Sequence, residues 1–160
     1  MRVIHNLNME WEFIGRSGMS ERVYIPHTWN SVDGRDGGNN YYKDICSYTR
    51  TFHCPNFDKD AQRVYIEFLG VNSIAEVTLN ENRIMNHEGG FSTFRKDITE
   101  ILENENTLQV TADNNVNNKI NSQMADFTFY GGIYRNVQLI VDSKDHFDAL
   151  DKKGEFCNEY

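Results

Sequence analysis

The chain has 160 residues, 39% of them hydrophobic and 12% aromatic, with a formal charge of −8 and a pI near 5.0. That length suits one domain of roughly 100–200 residues and leaves no room for a second. The acidic balance excludes a nucleic-acid partner, since phosphates are held mainly by Lys and Arg, and no stretch approaches the ~20 apolar residues of a membrane helix.

From the amino end, Met1-Arg2-Val3-Ile4-His5-Asn6 lacks the apolar run of a secretory signal. The three cysteines, Cys46, Cys54 and Cys157, are an odd count suited to reduced thiols. Both features point to the cytoplasm. Alternating apolar and polar residues, or short β-rich runs, predict strands at 10–14, 22–25, 48–54, 63–68, 75–79, 107–111 and 137–141. Between them lie turn formers such as Ser31-Val32-Asp33-Gly34, Pro55-Asn56-Phe57-Asp58, Asn80-Glu81-Asn82 and His87-Glu88-Gly89-Gly90. One helical turn or two is predicted over 97–102, with Asp97 as cap and Glu100 three residues on. The Asn-rich stretch 113–123 is expected to be a long exposed loop. Acidic residues crowd 142–159 in what reads as a solvated tail. The pattern is that of an all-β sandwich.

Catalytic chemistry is not legible in this pattern. Hydrolysis by a carboxylate pair needs two carboxylates about 5–10 Å apart on a rigid scaffold, and Asp33 with Asp36, or Glu100 with Glu103, read as solvated surface. His5, His27, His53, His87 and His146 have none of the close spacings of zinc sites. Gly37-Gly38, Gly89-Gly90 and Gly131-Gly132 lack the Lys-Ser/Thr of a phosphate loop, and no Ser sits in a Gly-x-Ser-x-Gly elbow. No catalytic residue, and no cofactor within the chain, is expected.

Several blocks gain meaning together: Pro26-His27-Thr28-Trp29-Asn30, Tyr48-Thr49-Arg50, residues 64–71, Val77-Thr78-Leu79-Asn80, His87-Glu88-Gly89-Gly90-Phe91 with Phe94, and the run from Asp126 through Phe127-Thr128-Phe129-Tyr130-Gly131-Gly132-Ile133-Tyr134-Arg135-Asn136 to Val137. In this order they resemble the sugar-binding domain of family-two glycoside hydrolases, the β-galactosidases, β-glucuronidases and β-mannosidases, over Trp11 to about Phe147. The resemblance implies a jelly-roll β-sandwich of the galactose-binding type over residues 1–142. Residues 143–160 would then be a tail leading toward an immunoglobulin-like domain, with a catalytic (β/α)₈ barrel beyond it. A barrel takes about 250 residues, so the fragment alone is expected to be inactive.

The resemblance also gives Asp126 a role, as the acid that reaches from the sandwich into the barrel's active site and binds substrate hydroxyls. In a full-length enzyme it is a candidate ligand to a bound cation, sodium or magnesium. An ionised carboxylate accepts hydrogen bonds from vicinal hydroxyls strongly; the other role open to it is capping backbone N–H groups of its loop. Arg135 is expected to bury its guanidinium against carboxylates or carbonyls, Trp29 and Phe68 to fill the core, and Gly131-Gly132 to allow a tight bend. Two departures from the family stand out. Lys43-Asp44-Ile45-Cys46 replaces a glycine-containing stretch ending in Trp-Tyr, and Asn80-Glu81-Asn82 replaces Asn-Gly, so Asn must supply the left-handed turn.

The expected function is therefore a non-catalytic domain of a β-galactosidase-like hydrolase, its partners a β-galactoside-like carbohydrate and the downstream domains. Two alternatives stay open: a free-standing lectin-like module stacking sugars on Tyr41, Tyr42 or Tyr130, and a ligand-free interaction sandwich that forms homo-oligomers.

Overall fold

The computed structural model describes residues 2–33, 41–117, 120 and 129–145. Among them ten strands form: β1 (Val3–Asn6), β2 (Trp11–Ile14), β3 (Ser20–Val23), β4 (Ile45–His53), β5 (Gln62–Phe68), β6 (Ile74–Leu79), β7 (Asn82–Glu88), β8 (Phe94–Asp97), β9 (Glu105–Asp113) and β10 (Val137–Ser143). They build two antiparallel sheets, one ordered β1-β10-β5-β8 and the other β3-β2-β4-β9-β6-β7. This is the expected all-β jelly-roll sandwich.

Period-two alternation explains the six-stranded sheet. In β9, Asn106, Leu108, Val110 and Ala112 point inward and their neighbours outward. Register then aligns the inward residues in rows: Tyr48, Val110 and Val77 form one, Cys46, Ala112 and Ala75 another. Facing them from the four-stranded sheet are Val64, Ile66, Phe68, Val137, Leu139 and Val141. Each such buried side chain contributes about 1.5–3 kcal/mol relative to exposure. The polar edge of the one fully buried tryptophan is satisfied, as Trp11 Nε1 donates to the Leu7 carbonyl at 2.6 Å.

All seven predicted strands form, with shifted ends, and three more appear. β1 is exposed throughout and β7 is an edge strand with little buried surface, so neither carries an apolar alternation to read. β8 hides a charged residue: Arg95 donates to Glu67 on β5, both nearly buried, and Gln138 of β10 donates to the same carboxylate. The segment predicted as helical is a single 3₁₀ turn, Thr99–Ile101, in front of which the Asp97 carboxylate accepts the Thr99 N–H at 2.9 Å.

Two expectations are corrected. In the 79–82 hairpin both Asn80 and Glu81 are left-handed, at φ 48° and 66°, because a two-residue turn matching the twist of its strands requires positive φ at both centres. Asn alone does not suffice. The loop after β9 is not simply exposed either: Asn114 is 2% exposed, because its side chain has backbone partners described below. Most of the segment beyond Asn117 lies outside the described residues.

Candidate functional site

Most of the motif blocks, scattered in sequence, converge at one end of the sandwich, the block 77–80 lying at the other, where β6 ends beside the start of β9. At the shared end β4 begins opposite the end of β9, β6 begins beside it, β7 ends, and β10 and β8 both begin opposite the end of β5. The stretch 129–133 crosses this end and is held by three asparagines from three separate connections.

Asn30, 1% exposed, accepts the Gly131 N–H at 2.9 Å through Oδ1, which also accepts the Thr28 hydroxyl, and donates from Nδ2 to the Phe129 carbonyl at 3.1 Å. Asn72 donates to the Tyr130 carbonyl at 2.7 Å, while its backbone exchanges hydrogen bonds with Gly132 as an isolated bridge. Asn114 accepts the Asp44 N–H at 2.9 Å and donates to the Tyr42 and Phe129 carbonyls. A primary amide carries donors and an acceptor at once, so each side chain replaces ladder bonds that irregular backbone lacks.

Aromatic packing closes the same knot. Trp29 stacks on Phe13 and donates from Nε1 to the Tyr42 carbonyl at 3.2 Å. Its ring occupies the space a Cβ at Gly131 would need, and Gly132 adopts φ 121° with Tyr48 Oη 2.5 Å from where its own Cβ would stand. Both glycines are sterically required. The His27 backbone N–H donates to the Ile133 carbonyl at 2.8 Å, and its ring Nδ1 lies 2.8 Å from Tyr48 Oη. Burial pushes the Tyr48 phenol well above its ordinary pKa, an Ile133 N–H bond opposing the shift, and pushes the His27 imidazole down against the opposing field of Glu21. Tyr48 Oη thus joins the Ile133 backbone to the His27 ring.

Asp126, the one substrate ligand expected from the sequence, lies outside the described residues, and the cation expectation goes with it. What the structure describes is the anchored backbone that begins three residues later. Arg135 corrects its expectation: it is exposed and lies over the Tyr134 ring, 5.3 Å from the centroid. The role assigned to it falls to Arg95 against Glu67 and to Arg50, which donates to the Leu7 and Met9 carbonyls. Phe68 fills the core as expected, whereas Trp29 is half-buried against its edge. Among the tyrosines, Tyr130 is 44% exposed, Tyr41 is half-buried, and the Tyr42 ring is covered by the Arg16 guanidinium at 4.5 Å. Sequence reading missed Asn72 and Asn114. Asn114 is camouflaged by its Asn-rich surroundings, and nothing in the residues around Asn72 marks it.

Residues 40–144 match the family model described as the glycosyl hydrolase 2 galactose-binding domain-like family. The chain is 35% identical over 150 residues to a β-glucuronidase of Bacteroides fragilis, a match covering 91% of this chain and 21% of that one. It is 28% identical to a β-galactosidase of Thermoanaerobacter pseudethanolicus, over 91% and 22%. Among solved structures, an FMN-binding β-glucuronidase from Facaelibacterium prausnitzii L2-6 superposes with a TM-score of 0.86 at 41% identity, covering 93% of this chain and 24% of that one. A Bacteroides uniformis β-glucuronidase gives 0.82 at 28%, over 93% and 19%. The chain spans about a fifth of the length of the curated relatives it matches.

Proposed function

Because the chain belongs to the galactose-binding-like domains of glycoside hydrolase family 2, we propose that it serves a larger glycosidase as its non-catalytic amino-terminal domain, presenting Asp126 to a glycoside held in a catalytic barrel. One observation carries this reading. Three buried asparagines fix the backbone at 129–132, a few residues after Asp126 in the sequence. So much irregular backbone held by side-chain amides is what presentation of a loop from a rigid scaffold requires.

Asp126 accepts hydrogen bonds from substrate hydroxyls, and the barrel supplies the acid and the nucleophile. The relatives' names divide between β-glucuronidases and β-galactosidases, so the substrate class is a β-linked hexoside or hexuronide. The sandwich ends near residue 142, and 143–160 lead toward the next domain. Cys46 and Cys54 are free thiols, which supports a cytoplasmic setting.

The test is hydrolysis of chromogenic β-glucuronide and β-galactoside by the chain alone and by a chimera in which it replaces the matching 150 residues of the Bacteroides fragilis β-glucuronidase. The chimera is expected to turn over the glucuronide and the chain alone neither substrate. Turnover by the chain alone would refute a non-catalytic role.

A further inference from the structure

The connection from β7 to β8 lies at the same end of the sandwich and is pinned along its length. The Gly89 N–H donates to the Ser73 carbonyl at 2.9 Å, the Tyr134 hydroxyl donates to the Gly90 carbonyl, and His87 Nε2 lies 3.0 Å from Ser92 Oγ. Gly89 takes φ 129°, and a Cβ at Gly90 would stand 2.1 Å from Asn72 Oδ1, so the loop is fitted against the side chain that also holds the Tyr130 carbonyl. Yet the one large apolar side chain on this loop faces solvent: Phe91 is 72% exposed, and Tyr130, on the other side of Asn72, is 44% exposed. Tyr134 and Arg135 lie beside them against Gly70, and the exposed Arg135 joins no ion pair among the described residues.

A slack loop could fold such a ring away, whereas this one is fixed at Gly89, Gly90 and Ser92, on both sides of it. Apolar surface held out in this way gains free energy only when something covers it. Phenylalanine and tyrosine with an arginine at the border are the composition of a protein interface. We infer that Phe91 is the anchor by which the sandwich docks on the remainder of its own polypeptide, entering an apolar socket whose rim offers a carboxylate or carbonyl to Arg135. This rests on the reading of the chain as one domain of a larger glycosidase; in the curated relatives most of the polypeptide lies outside the matched region and is there to supply the socket.

The test places a thiol at the anchor. Phe91→Cys is made in the chain alone and in the chimera with the Bacteroides fragilis β-glucuronidase, and labelling of that position by a soluble maleimide is followed by peptide mass spectrometry, which separates it from Cys46, Cys54 and Cys157. In the chain alone the position is expected to label as an exposed thiol at every protein concentration, and in the chimera at least ~10-fold more slowly. Phe91→Ser should leave the melting temperature of the chain alone unchanged and lower that of the chimera by about 2 °C or more. Equal labelling rates in the two proteins, or a chimera whose melting temperature ignores Phe91→Ser, would overturn the anchor. Labelling of the chain alone that slows as its concentration rises would show a second copy seated on the ring and overturn the assignment to the same polypeptide. Because labelling needs no turnover, the two readings fail separately. A chimera that hydrolyses the glucuronide with the position freely labelled keeps the proposed function and loses the anchor; an inactive chimera with the position protected keeps the anchor and loses the function.

Discussion

Gly131 shows how a single missing Cβ shapes the site. Any side chain there enters the Trp29 ring, which is held between Phe13 and the Tyr42 carbonyl and cannot retreat. Gly131→Ala is therefore expected to destabilise the chain by about 2–4 kcal/mol, read from urea unfolding midpoints. The opposite sign is expected at Glu81, a non-glycine residue at φ 66°. Left-handed backbone costs a residue with a Cβ roughly 1–2 kcal/mol, and part of that is returned by glycine's greater entropy loss. Glu81→Gly should thus stabilise by about 0.5–1 kcal/mol, and a lower midpoint would contradict this account of the turn. At this scale the sequence was readable where a residue has one physical option, as with Gly132 or Phe68. It misled for Arg135, because a guanidinium can be buried against carbonyls or laid over a ring, and only the neighbours decide.

At the scale of elements, legibility followed burial. Strands with one face in the core show alternation, and all seven predicted ones exist; β1 and β7, at sheet edges with little to bury, show none. β8 is a different failure, because Phe94-Arg95-Lys96-Asp97 contains a charge that is buried only by its partner on β5. That pairing makes a prediction. Arg95→Met leaves the Glu67 carboxylate buried without its cation and should cost about 3–5 kcal/mol, whereas the Glu67→Met, Arg95→Met double variant should cost less than either change alone suggests. A double-mutant cycle in urea reads both, and additive losses would show that the two residues act separately. The loop after β9 was misread for a related reason. Composition describes Asn-rich chain as solvated, but Asn114 finds three backbone partners at once and becomes buried.

At the scale of the whole molecule, two histidines among the described residues link stability to pH. Burial lowers the pKa of both His27 and His87, the latter stacked on Phe94. The unfolded chain takes up protons near the ordinary value of about 6.5 while the folded chain holds these rings neutral to lower pH. Their contribution is complete above that value and lost as pH falls below it toward the folded-state values. Urea midpoints are expected to drop between about pH 7.5 and 5.5, and His87→Gln should flatten part of the slope; a flat profile would contradict the burial of these rings as functional neutral groups. The fold and the family were legible at this scale because several weak blocks occur in one order, and order survives where single motifs mislead. The knot that unites them was not, since its bonds join residues as far apart as Asn30 and Gly131. Its importance rests on what it presents, so the decisive measurement is kcat/KM for a chromogenic β-glucuronide in the active chimera with and without Asp126→Asn. Loss of charge-assisted hydrogen bonds to substrate hydroxyls predicts a fall of about 10–100-fold with the melting temperature unchanged; an undiminished kcat/KM would contradict the assignment of Asp126 to substrate.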